Sequence, residues 1–309
     1  MINVNIIILN WNGWKMTLEC LESLKNIKTD GMRVEVVVVD NGSTDESVER
    51  IEQYAKSNMQ HEIIIIKNKV NLGFAEGNNV GISYALKEGA DFVCLLNNDT
   101  RVSQDFLFNL VKTFESDSQI GIAGGKIYFE KGYEFHKDSY EKKDLGNVLW
   151  YAGGKIDWEN VIASHIGVDE VDNGQFNETK ETEYVNGCLM MVNREVFEKI
   201  GYFDKKYYLY YEENDFNQRA KEAGYKLIYN PKSFIWHINS GSSAAGSGLH
   251  DYFLTRNRMI FGMRWAHFRA KLALFKESVD ILLNGRPWQK IAVRDFYFGR
   301  FGKGSWNSN

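Results

Sequence analysis

Six side chains in this sequence are of types that do chemistry: Asp40, Asp99, Glu212, Glu213, Asp215 and His237. Asp99 closes "DFVCLLNNDT", an apolar run that ends on two amides and a carboxylate. One carboxylate, with phosphate and water completing the shell, suits the Mg²⁺ or Mn²⁺ that accompanies a nucleoside diphosphate. A contribution from His237 would favour Mn²⁺, because imidazole is more at home on transition metals. The same histidine, beside Trp236, also reads as a buried core residue with a partner. Glu212 and Glu213 in "YYEEND" are either a source of a general base or first-turn acids held by a helix dipole.

The elements that must position these groups are legible in the first hundred residues. "VNIIILN" (Val4 to Asn10), "VEVVVVD" (Val34 to Asp40), "EIIIIKN" (Glu62 to Asn68) and "DFVCLLN" (Asp91 to Asn97) are β-branched runs of the kind buried on both faces of a parallel sheet. Helical patterns lie between them at Lys15 to Ile27, Asp45 to Lys56 and Ala75 to Lys87. The alternation predicts an α/β fold with a doubly wound, mostly parallel sheet and right-handed crossovers. Ligands bind such sheets outside the carboxyl ends of the strands. All four ends here are rich in residues drawn from Asn, Asp and Gly: "NWNGW", "DNGSTD", "NKVNLGFAEGNN" and "NNDT". One such end is ordinary turn chemistry, whereas four on one edge mark a ligand site.

Further on, "NVLWYAGGKIDWENVIASHIG" reads as strand, turn at Asp157 to Asn160, and strand, and "YVNGCLMMVNREVFEKIG" as a strand leading into a helix that Gly201 closes. A helix is predicted from Asn214 to Ala223, stopped by Gly224, and then a strand, "YKLIYNP". From Tyr252 the chain reads as helical, interrupted at Gly285 and Pro287, with no linker to free a second domain.

Composition is that of an ordinary globular protein of 309 residues, 44% hydrophobic and 25% charged. Cys20, Cys94 and Cys188 form neither a CxxC nor an even set, which points to a reducing cytoplasm rather than a disulfide framework or a zinc site. The apolar stretch near Met1 is too short for a signal peptide or a membrane span. There is no GxGxxG after the first strand, no GxxxxGK[ST], no GxSxG and no HExxH, so dinucleotide, P-loop, hydrolase-elbow and zincin chemistries lose their support. The net charge of −4 divides unevenly: eleven Lys or Arg against four Asp or Glu from His250 onward give +7, leaving −11 on the rest. A basic, aromatic-rich tail on an acidic body implies contact with an anionic surface. In the tail, Trp265, Phe268, Leu272 and Phe275 fall towards one side of a helix, either for a membrane or lipid-linked acceptor or for packing on the body or on a second copy.

Taken in order, "ILNWNG", "VVVDNGSTD", "NLGFAEGNNVGI", "LLNNDT", "GCLMMVNREVFEKIGYFDKKYYLYYEENDFNQRAKEAGYKL" and "HINSGSS" resemble the inverting glycosyltransferases of family 2, with the GT-A fold, in their rhamnosyltransferase-like branch. The resemblance runs over about residues 3 to 260. It implies a Rossmann-like nucleotide-binding half within a GT-A domain at 1–250, and a helical extension at 251–309. It also implies roles. Asp40 would accept from the imide of the base, with Asn10, Asn12 and Asn41 around the nucleotide, and Asn71, Gly73 and Asn78 would lie along the diphosphate and sugar. The DxD-like metal motif falls on Asn97, Asn98 and Asp99, with His237 helping to hold Mn²⁺ or Mg²⁺. The acid pair that carries the base falls on Glu212 and Glu213, and Arg256 with Asn257 would steady the leaving diphosphate.

The expected reaction is transfer of a sugar, dTDP-rhamnose favoured as donor, to a glycan or lipid-linked glycan acceptor. The rival readings are a UDP-hexose donor and a catalytically silent scaffold. The sugar-nucleotide pyrophosphorylases share the architecture but want a Gly-rich basic first loop, which "NWNGWK" is not. No nucleic acid partner is expected. A cytoplasmic enzyme, peripheral on the inner face of the plasma membrane or oligomeric through its tail, completes the expectation.

Overall fold

The computed structural model describes residues 1–57, 61–238 and 247–307. Residues 239–243 of the "HINSGSS" stretch and the last two tail residues lie outside the described residues. The first half runs β1 (Ile2–Asn10), α1 (Trp14–Leu24), β2 (Met32–Asp40), α2 (Ser47–Ser57), β3 (Glu62–Lys67), α3 (Gly73–Lys87), β4 (Phe92–Leu96) and β5 (Thr100–Val102). It continues through α4 (Phe106–Glu115), β6 (Ile120–Phe129), β7 (Leu149–Tyr151), β8 (Gly154–Asp157), β9 (Ile162–His165), β10 (Lys180–Glu181) and β11 (Leu189–Asn193). Then come α5 (Arg194–Ile200), α6 (Glu212–Glu222), β12 (Lys226–His237), α7 (Gly248–Trp265), α8 (Phe268–Asn284) and α9 (Pro287–Tyr297).

The main sheet has the order β10-β12-β6-β11-β4-β1-β2-β3. β3, β2, β1 and β4 pair in parallel, as do β6 and β12. β11 is antiparallel to both β4 and β6, so β6 and β12 share the direction of the first four strands and β11 is the reversed insert. The mostly parallel, doubly wound α/β architecture expected from the alternating runs is what forms.

Alternation within each strand divides the core between the two faces of the sheet. Ile6, Ile8, Val36, Val38 and Cys94 pack on one side, and Ile7, Val37, Val39, Val93 and Leu95 on the other. That two-sided burial is why these runs read as continuously apolar rather than alternating with polar residues. The three cysteines are buried and free.

β12 overruns the predicted strand. It continues past Pro231 to His237, with a register shift between Asn230 and Phe234. A bulge is where a proline can sit in a sheet without costing a ladder bond. The tail departs from expectation in two ways. It breaks at Ala266 and His267 as well as at Gly285, because the His267 side chain accepts from the Ala270 N–H and caps α8. The boundary drawn at 250/251 falls inside α7, whose Tyr252, Phe253 and Phe261 are wholly buried.

Candidate active site

On the β1–β2 side, the ends of two parallel strands are tied by side chains. Asn10 donates to Asp40 Oδ1 at 2.9 Å, and the Ser43 N–H donates to Asp40 Oδ2 at 3.0 Å. Thr17 in turn donates to Asn10 Oδ1 at 2.8 Å. Asp40 is thus buried but oriented, and a carboxylate with about four acceptor positions keeps some of them for another donor. Asn12, with a positive φ of 50°, accepts from the Thr44 N–H at 2.8 Å and so locks the β1–α1 loop to the β2–α2 loop.

The next four predicted residues act within the protein. Asn41 donates to Asn71 Oδ1 and to the Gly73 carbonyl and accepts from Asn68 and the Leu72 N–H. Asn71 also caps the Gly73 N–H, and Asn78 donates to the Phe74 carbonyl one turn back. Gly73 has φ 83°, and a Cβ there would lie 2.5 Å from the Tyr208 ring, so glycine is required by both backbone and space. Asn41 and Asn71 thus tie down the loop before α3, and Asn78 bonds within α3 itself.

On the β4 side, the Asn97 to Asp99 turn is fixed by pairing. β5 runs antiparallel to the end of β12 with His237 opposite Thr100, and the Ile238 N–H donates to the Asp99 carbonyl at 2.7 Å. That pairing, made possible by the bulged extension of β12, brings His237 Nε2 to 3.2 Å from Asp99 Oδ1. The atoms face each other without an aligned hydrogen bond, and His237 Nδ1 is likewise buried and unbonded. A nitrogen and an oxygen left so at the edge of a cavity fit the donor set of a divalent cation. Among the described residues no group of three His, Cys, Asp or Glu forms a complete metal cage; two protein ligands plus phosphate and water is the arrangement expected of a nucleotide-borne metal. Asn98 donates to Thr17 at 3.0 Å, linking this turn to α1.

α6 supplies the acids. It begins at Glu212, two residues earlier than the helical pattern predicts, and Glu212, Glu213 and Asp215 lie in its first turn. Glu212 is buried and Glu213 partly exposed, and each has a carboxylate oxygen without a partner. Burial pushes Glu213 up to about 7. Burial, and then the charge of Glu213, hold Glu212 well above the carboxylate range. The two acids are desolvated together, so near neutrality the pair holds a proton that exposed carboxylates would give up. Asp215 has another task. Fully buried, it accepts from Arg219, Arg264, Trp265 Nε1 and Tyr207, which removes it from the set of chemical candidates.

The loop leading into α6 is strained: Tyr208, Tyr210 and Tyr211 have φ values of 65°, 68° and 71°, a region that bulky residues rarely occupy. Asn257 and Arg256 hold it there. Asn257 Nδ2 lies at 2.7, 2.7 and 2.8 Å from the carbonyls of Tyr207, Leu209 and Tyr210. Arg256 donates to the carbonyls of Lys206 and Tyr207 and to Asn257 Oδ1. Both are fully buried, with their donors occupied. In this arrangement Arg256 and Asn257 clamp the loop that presents the acid pair.

Asn12, Asn98, Asp99, Glu212, Glu213 and His237 line one cavity of about 1020 Å³. Asn10, Asp40, Asn41, Asn71, Gly73 and Asn78 are not part of its wall. Sequence reasoning missed Trp150, His165 and Asn186, which complete that wall. The Trp150 ring packs 4.6 Å from His237. His165 Nδ1 donates to the Trp150 carbonyl while Nε2 accepts from Asn186, and burial pushes this imidazole down to about 4, keeping it neutral. Nothing in the local sequence signals these three, because they come from separate places in the fold: Trp150 on β7, which pairs with β6, His165 on β9, which pairs with β8, and Asn186 in the loop before β11.

The model of the family described as Glycosyl transferase family 2 matches residues 5–201. The chain is similar to the low-salt glycan biosynthesis hexosyltransferase Agl10 of Haloferax volcanii, with 27% identity over 90% of this chain and 78% of that one. It is also similar to the dTDP-rhamnosyl transferase RfbF of Shigella flexneri, with 21% identity over 92% of this chain and 84% of that one. In structure it is similar to the mannosyltransferase PcManGT from Pyrobaculum calidifontis, solved with GDP-Man and Mn²⁺. The TM-score is 0.56 at 18% identity, over 99% of this chain and 76% of that one.

Proposed function

The chain belongs to glycosyl transferase family 2, and from that premise we propose that it moves a sugar, with inversion, from a nucleoside diphosphate donor to a hydroxyl of a glycan or lipid-linked acceptor. The observation that carries this reading is the single cavity in which the unbonded Asp99 and His237 atoms and the raised Glu212–Glu213 pair are both found.

A sugar hydroxyl is a poor nucleophile, so Glu213, ionised, takes its proton as the oxygen attacks the anomeric carbon. The new C–O bond forms as the bond to the diphosphate breaks, and one displacement inverts the centre. Glu212 lies beside it in the same desolvated pair, and burial raises the proton affinity of both. Asp40, oriented by Asn10 and the Ser43 N–H, accepts from the base of the nucleotide. Asp99 and His237 would hold Mn²⁺ or Mg²⁺, which when bound stabilises charge on the departing diphosphate. dTDP-rhamnose is the favoured donor, supported by the similarity to RfbF and by the branch that the motifs resemble.

The test is release of nucleoside diphosphate from dTDP-rhamnose, UDP-glucose and GDP-mannose, with Mn²⁺, Mg²⁺ or chelator. Metal-dependent release of dTDP above the other two nucleotides is expected. Faster release from UDP-glucose would move the donor to a UDP-hexose, and absence of release from all three would leave a silent scaffold.

A further inference from the structure

The outer face of α8 has no use in the site described above. At the helical angle of about 100° per residue, Leu282, Phe275, Phe268, Val279, Leu272 and Leu283 fall in one arc of about 100°. All six are exposed, from 38% for Leu282 to 74% for Phe268. Cations stand on both edges of that arc, Lys271 on one and Lys276 with Arg269 on the other. The acid on the second edge, Asp280, is hydrogen-bonded by Asn284. Three other tail cations differ: Arg258 is paired with Glu277, Arg264 with Asp215 and Arg286 with Asp251. Arg269, Lys271 and Lys276 have no ion pair among the described residues. Tyr297, whose hydroxyl shares a hydrogen bond with Ser278, sets its own exposed ring and that of Phe298 beside the same helix.

An apolar stripe with basic flanks and no internal ion pairing is the profile of a helix lying in the interface of an anionic bilayer. A second copy of the chain fits less well, because a seam cationic on both edges would set like charges against each other. No helix among the described residues is long and apolar enough to cross a membrane, so the contact would be peripheral.

We propose that α8 docks the protein on an anionic lipid surface through this stripe. The opposite face of α8, through Leu274, Glu277, Ser278 and Ile281, lines the cavity that holds Glu213 and Asp99. The helix is about 10 to 12 Å across, so docking sets the cavity one helix diameter from the headgroups. That geometry selects an acceptor carried on a lipid. This last step rests on the glycosyltransferase reading; the docking itself does not.

The experiment is co-sedimentation of the full chain with phosphatidylcholine vesicles, with and without about one-third phosphatidylglycerol. At least tenfold stronger binding to the anionic vesicles is expected, lost in about 0.5 M salt. Replacing Arg269, Lys271 and Lys276 together by Gln is expected to weaken binding by about 100-fold, at about fivefold per cation, or ~1 kcal/mol each. Leu272→Ser with Phe275→Ser removes the apolar contribution. Neither set touches the acid pair or the metal-side residues, so metal-dependent donor hydrolysis in solution is expected to persist and reports on folding. Equal, negligible binding of the wild-type chain to both vesicle types overturns the proposal, as does a dimer in sedimentation velocity that the two serines dissolve. Vesicle binding without turnover of any donor would keep the docking and sink the glycosyltransferase reading.

Discussion

At the scale of single residues, the site is defined by polar atoms that are buried yet unbonded. Asp99 Oδ1 and His237 Nδ1 are two of them, and they sit where the turn after β4 meets the end of β12. Asp99→Ala is therefore expected to abolish the metal-dependent part of nucleoside diphosphate affinity. Calorimetry with and without Mn²⁺ would detect it, and an unchanged metal increment in the mutant would remove Asp99 from the metal's shell. The acid pair makes a second prediction. Burial raises Glu213 from 4.5 to about 7; if its ionised form is the base, as proposed, kcat/KM should climb with pH and level off above an apparent pKa near 7. Because the two carboxyls titrate together, that value belongs to the pair. A rate already flat down to pH 5 would show that the base is not buried. The types of these residues were legible from "NNDT" and "YYEEND"; the raised proton affinity of the acid pair was not, because it depends on burial that only the folded chain defines.

At the scale of elements, the acid pair is presented by a loop that its own sequence would not choose. Three tyrosines at positive φ are unfavourable locally, and α7, some fifty residues later in the chain, helps to hold them there through Asn257. Asn257→Ala removes a donor from the carbonyls of Tyr207, Leu209 and Tyr210, of which Tyr207 keeps Arg256 and the Leu209 N–H. At about 1 to 3 kcal/mol for each group left unsatisfied, it should lower stability by about 2 to 5 kcal/mol and lower kcat more than it weakens donor binding. Thermal melts and steady-state kinetics would show this; an unchanged Tm with unchanged kcat would mean that the loop holds itself. The contrast with the first half of the chain is physical. β1 to β4 and the helices between them could be read from local runs and strand-end composition because parallel strands buried on both faces are apolar throughout. The clamp, the bulge at Pro231 that extends β12 to His237, and the cap at His267 are made by contacts distant in sequence or by a single side chain, and leave no periodic signal.

At the scale of the whole molecule, the tail is part of the body. Asp215 in the first turn of α6 accepts from Arg264 and Trp265 at the end of α7, and Tyr252, Phe253, Arg256 and Asn257 are buried. A division at 250/251 would cut that packing, so the chain should unfold in one calorimetric transition; two resolved transitions would restore an independent tail. The charge asymmetry was visible in the sequence, but its use was not, since Arg258, Arg264 and Arg286 are taken up by internal ion pairs. On the proposed reading, the whole assembly moves a sugar from a nucleotide donor held at the sheet edge to an acceptor hydroxyl whose proton a carboxylate on α6 takes. The most direct test is Glu213→Gln, measured for both donor affinity and turnover. Donor affinity should stay within about twofold while turnover falls by roughly 10² to 10⁴, the range of a lost general base. Turnover within tenfold of wild type, or a larger loss in Glu212→Gln with folding intact, would contradict the assignment of Glu213 as the base.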